Sequence, residues 1–156
     1  MTIDAKYINR QTKSVIRKAD YNQEIIMSAA SDYLENKVLD HVLGNSAFTQ
    51  PGTLYVGLWT ADDGLEAGTQ TSEVSGGSYA RATMAFDAAA TGSSANTSTV
   101  TFTTATGNWG TITHVAVMDA ATSGNVLFHG AVTTSKTIEI GDTFQVSAGN
   151  LTISLA

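Results

Sequence analysis

Three histidines, His41, His114 and His129, and one acidic turn, Asp62, Asp63 and Glu66, are where chemistry would first be sought in this sequence. A zinc centre needs three or four nitrogen, sulfur or carboxylate ligands brought together. His41 sits beside Asp40 on a helical segment, and the pattern predicts an exposed side chain. His114 and His129 fall in apolar strand-like runs, where they could meet across a sheet, but no third or fourth ligand stands at a recognisable spacing. Asp62, Asp63 and Glu66 offer the oxygen ligands calcium takes, although their spacing matches no EF-hand loop. The chain has no cysteine, which removes disulfides, thiolate metal sites and thiol nucleophiles.

Other reaction signatures are missing from the sequence as well. No Gly-x-Ser-x-Gly elbow, phosphate loop or dinucleotide fingerprint occurs. The run Ser75, Gly76, Gly77, Ser78 looks like a phosphate cradle but lacks the lysine and helix that should follow, so it reads as a turn. Trp59, Trp109 and Tyr79 would suit an aromatic platform for a sugar, yet aromatics in so small a β body more often pack the core. No catalytic residue, metal site or cofactor is assigned. Arg81 is the one arginine after residue 18, and its planar fork suits a bidentate pairing with a carboxylate at a subunit boundary.

The elements that must carry these residues are mostly strands. Residues 21–30 are ambiguous between a helical turn and an extended segment. Asp32 with Glu35 forms a capping box, and Leu34, Val38, Leu39, Val42 and Leu43 follow on one helical face, closed by Gly44. One amphipathic helix is predicted over residues 32–43. After Pro51 the period changes from helical spacing to two. Strands are predicted at 54–59, 79–86, 98–104, 112–118, 126–132, 137–140, 143–146 and 151–155. The pair around Gly141 and Asp142 reads as a tight hairpin, and residues 88–97 as an exposed low-complexity loop. About eight short strands with regular turns predict an all-β domain of β-sandwich or jelly-roll type. It spans residues 31–156 and is preceded by an extended arm, residues 1–30.

Charge is unevenly spread along the chain. Residues 1–18 hold Lys6, Arg10, Lys13, Arg17 and Lys18 against Asp4 alone, a net of +4. The other residues hold three basic and thirteen acidic side chains, a net of −10. An acidic body argues against nucleic acid as a partner, and a basic arm suits a negatively charged one. No apolar run approaches the roughly 20 residues of a membrane-spanning helix. The first residues lack the order of a secretory signal, so synthesis in the cytoplasm without a membrane partner is expected.

Six segments stand out: residues 31–41 (SDYLENKVLDH), 54–60 (LYVGLWT), 73–81 (EVSGGSYAR), 108–114 (NWGTITH), 134–137 (TSKT) and 148–153 (AGNLTI). Together they resemble a family of small tailed-phage virion proteins. The resemblance runs from about Ser31 to Ala156 and leaves residues 1–30 outside. Members are labelled tail-fibre, minor-tail or capsid-decoration proteins. The resemblance therefore implies a virion component, with no catalytic residues to carry over.

These readings combine into an expectation of a non-enzymatic structural protein. The first choice is a capsid cement or decoration protein, a homo-oligomer with a trimer favoured. It would dock on the major capsid protein or other virion proteins through Lys6, Arg10, Lys13, Arg17, Lys18 and Arg81. The alternative is a tail-fibre or minor-tail module that contacts host surface glycans. A carbohydrate-active enzyme on the same scaffold is the rival of a different class.

Overall fold

The computed structural model describes residues 24–27 and 29–155. The arm residues Lys6, Arg10, Lys13, Arg17 and Lys18 lie outside that range. In chain order the elements are β1 (Ile25–Met27), β2 (Ala29–Ala30), α1 (Asp32–Val42), β3 (Leu54–Trp59), β4 (Ala82–Met84) and β5 (Ser93–Ala95). They continue with β6 (Val100–Thr101), β7 (Gly110–Met118), β8 (Val126–Ile138), β9 (Gln145–Val146) and β10 (Leu151–Ser154). The described residues are mostly β with one short helix, the all-β class that the sequence predicts. Within the ambiguous stretch, residues 25–27 and 29–30 are strand.

The main sheet has the order β4-β3-β7-β8-β1-β10-β5, with β2 also on β8; β6 and β9 form a separate pair. Only β1 against β10 is parallel within this order; the other neighbours are antiparallel. The sheet curls until its two edges meet. Phe86 and Asn96 form a bridge, with Asp87 N–H donating to Ala95 O at 2.9 Å and Thr97 N–H to Ala85 O at 3.0 Å. Curling on itself leaves few open strand edges, which otherwise invite aggregation.

Alternation explains how the central strands are buried on both faces. Val56, Leu58, Val115 and Val117 point into the main core, beside Ile25, Phe102, Ile112, Val132 and Phe144. Trp59, Ala116 and Met118 point outward and form a second core with Leu65 and Val126. The segment after β3 supplies Leu65 to that outer core. Gly57 leaves the space that the Trp59 ring needs: a Cβ there would lie 2.7 Å from Trp59 Cζ3 and 3.0 Å from the Tyr79 hydroxyl.

Several elements depart from the sequence reading. The helix cap is Ser31 rather than Asp32; its hydroxyl accepts from Leu34 N–H at 3.3 Å. The same hydroxyl donates to Val126 O, so the cap also ties α1 to the start of β8. The predicted hairpin at Gly141 does not form. Asp142 N–H donates to Glu139 O and Gly141 N–H to Ala105 O, which carries the chain across to pair β9 with β6. The predicted strands 126–132 and 137–140 merge in part into one strand, β8. The low-complexity stretch holds β5 and ends at buried Asn96. The Asn96 amide donates to Ser98 O and Ser147 O and accepts from Leu151 N–H, so a polar residue seals the closing seam of the sheet.

Ser31→Ala removes both a cap and the tie to β8 and should cost about 1–2 kcal/mol. Phe102→Ala, at a ring stacked on Tyr79 and met edge-on by Trp109 and Phe144, should cost about 3–5 kcal/mol. Denaturant melts of the two variants check both values; a Phe102→Ala curve matching the parent would remove Phe102 from the core.

Candidate functional site

Arg81 sits just before β4, with its side chain 2% exposed. A guanidinium has five N–H donors, and here each finds an acceptor. Nε donates to Glu73 Oε1 at 2.7 Å and one terminal nitrogen to Glu73 Oε2 at 2.7 Å, a bidentate pair. That terminal nitrogen also reaches Gln70 Oε1 at 2.8 Å. The other reaches Ala120 O at 2.9 Å and Ser123 O at 2.6 Å. One side chain thus fastens the segment after β3 and the turn between β7 and β8. The carboxylate it meets belongs to its own chain.

The pair is extended on both sides. Tyr79 donates to Glu73 Oε1 at 3.0 Å and accepts from Leu58 N–H at 2.9 Å. Burial, with the Glu73 charge as the next cause, pushes the Tyr79 phenol well above its ordinary 10.0. On the other side the guanidinium lies 5.9 Å from the Trp59 ring centre, a cation–π contact. Trp59 itself bridges Glu73 through its backbone. Its indole N–H is a buried group without a hydrogen-bond partner among the described residues.

The acidic turn does not converge on one point. Asp62 accepts from Leu65 N–H and lies 3.9 Å from His114 Nε2. Asp63 accepts from the hydroxyls of Thr71 and Ser72, which lower its pKa. Glu66 pairs with His129 Nε2 at 2.9 Å. His114 and His129 stand on neighbouring strands, but the register sets them opposite Ala131 and Ala116 rather than each other. Each histidine turns to an acid of the 62–66 turn instead. His41 is exposed, and its Nδ1 accepts from Phe48 N–H at 3.1 Å. Glu66 does approach Asp32 and Glu35, with carboxylate oxygens within 4.8 Å of one another at the helix start.

The aromatic residues weighed as a sugar platform are core. Trp59 and Trp109 are buried, and Trp109 meets Tyr79 edge-on with centroids 5.4 Å apart. Its Nε1–H donates to Gly77 O at 2.9 Å. The Gly-Gly turn is therefore needed for closeness, since a Cβ at Gly77 would stand 2.9 Å from Gly107 N.

One face of α1 is left uncovered, and it is apolar. Of the predicted helix stripe only Leu34 is buried; Val38, Leu39, Val42 and Leu43 are 44%, 56%, 73% and 70% exposed. The stripe exists, but the body covers only one residue of it. Beside it lies a groove of about 620 Å³ between α1, Phe48, Pro51 and the start of β8, lined by Leu39, Phe128 and Leu155 among others. A second hollow of about 300 Å³ continues it under β5, sharing Leu54, Leu127, Phe128 and Leu155. Apolar surface of this continuity marks a contact site in soluble proteins.

A protein-family model described as podophage GP4 fiber I protein gp80 matches residues 29–154. The chain belongs to that family. No curated protein matches it. The fibre I match takes in α1, all of the lining of both hollows except Leu155, and the whole Arg81 cluster, and it leaves out the basic arm. Among the described residues, no helix of this fibre-family chain is long and apolar enough to cross a membrane.

Arg81→Ala leaves the part-buried Glu73 without its cation and should destabilise the fold by about 3–5 kcal/mol, read as a lower denaturation midpoint. Alkali should act through Tyr79. Its folded pKa is raised, so its contribution to stability is complete below pH 10.0 and declines as pH rises above it. In a tyrosinate absorbance titration, one tyrosine should resist ionisation until the protein unfolds, and Tyr79→Phe should remove that late step. Five tyrosines ionising before any unfolding would contradict the burial of Tyr79.

Proposed function

We propose that this protein is a non-enzymatic structural component of a phage tail fibre, working by contact with other virion proteins. The observation that carries the reading is the fibre-family match over residues 29–154. It favours the tail over the head surface, and so favours the fibre alternative over a capsid cement role. The geometry agrees with a structural task. Arg81, Tyr79, Trp59 and Trp109 are spent on internal packing and hydrogen bonds, while the exposed feature is an apolar face and groove. A surface of that kind joins proteins to one another and needs no chemistry of its own.

Immunogold labelling of intact particles with antibody raised to this chain is the direct test. Label at the tail is expected. Label spread over the head would return the protein to the cement role and overturn the fibre reading.

A further inference from the structure

The open apolar groove lies at the start of β8, and Glu24, where the described chain begins, lies farther along the same strand. Strand β1 begins beside Val132, and Thr133 Oγ1 donates to Glu24 O. It runs toward β2, whose Ala30 pairs with Phe128 at the groove. From Thr133 to Phe128 along β8 is about 16 Å at the usual strand rise. Residues 1–23 therefore join the body at Glu24, away from the groove. To reach its own groove the segment would have to double back along the body. A second copy placed end to end would need no such reversal.

The chemistry of the segment and the groove is complementary. Residues 1–23 hold Lys6, Arg10, Lys13, Arg17 and Lys18 against Asp4 and Asp20, a net of +3, with the apolar pairs Tyr7–Ile8 and Val15–Ile16 between the charges. The groove offers an apolar floor of Leu39, Phe128 and Leu155, with Glu35 on its wall. Asp32 and Glu66 crowd beside Glu35, all three exposed. Three like charges so close repel one another, and a basic strand laid across them relieves that repulsion. The nearby Lys37 ammonium sits over the Tyr33 ring, 5.8 Å from its centre. The two hollows share Leu54, Leu127, Phe128 and Leu155, so their lining runs from α1 to β5, and that reach suits an extended segment.

We propose that residues 1–23 of one copy dock in the α1 groove of the next, joining copies head to tail. A contact between two different surfaces does not close on itself as a twofold pair does, so it propagates into rings or filaments. This concerns how copies join; where they sit in the virion is tested separately by the labelling experiment.

The test uses two full-length variants. One carries Lys13→Glu, Arg17→Glu and Lys18→Glu in the segment; the other carries Leu39→Asp and Val42→Asp on the exposed stripe. Because Leu39 and Val42 are exposed, the second variant should melt like the parent. Sedimentation of the parent should show mass rising with concentration and falling with added salt, as screening shortens. In each variant alone the self-association constant should weaken by more than about tenfold. Mixed, they should give one-to-one dimers and nothing larger, since one supplies a sound groove and the other a sound segment. Glu35→Lys should restore association when combined with the acidic segment. A parent that stays monomeric, or a mixture that does, overturns the proposal in favour of a segment held by its own body. A segment variant that associates like the parent overturns it too, and points to groove faces packing directly. A groove variant that associates like the parent overturns it by placing the segment elsewhere.

Discussion

Arg81 with Glu73 is the interaction on which most of the body depends. A buried guanidinium is tolerated only when its donors are satisfied and its charge is met, and here both conditions hold within one chain. The acceptors come from stretches far apart in sequence: Gln70 and Glu73 after β3, Ala120 and Ser123 between β7 and β8. Satisfying Arg81 therefore places those stretches relative to each other. Once they are placed, the outer faces of β3 and β7 can bury Trp59, Ala116 and Met118 beneath the chain that follows β3. The central strands can then be apolar on both sides without exposing either.

The same constraint leaves the two ends of the curled sheet unlike one another. At the end where β7 begins and β8 finishes, Trp109 and Ile138 sit with Tyr79, Phe102 and Phe144 in a packed aromatic cluster, and the β6–β9 pair lies nearby in sequence and contact. At the other end the core reaches the surface between α1 and β8. One end is finished and the other is open. That difference between the ends is what the proposed head-to-tail contact would use.

The polar residues fill structural posts that their types do not announce. His129 and His114 hold the acidic turn, Asn96 seals the meeting edges of the sheet, and Ser31 joins cap and strand. Each is a polar group kept in the body by a partner, which is the ordinary condition for burying one.

The class of the fold, the helix near residues 32–43 and the period-two strands after Pro51 are legible in the sequence alone. These are local properties: helix period, strand period, and a glycine with positive φ at Gly44 closing the helix. The sequence also held the resemblance that leads to the phage family. Only the tertiary structure decided which partner each element takes. Two strands flanking Gly141 look like a hairpin locally, but β9 gains its neighbour in β6, some 45 residues earlier. Arg81 invited a carboxylate; that it is Glu73 depends on a fold that brings the start of β4 beside the end of β3. The helix stripe was legible as apolar, but its exposure was not, because periodicity records that a face is hydrophobic and not whether the chain has enough body to cover it.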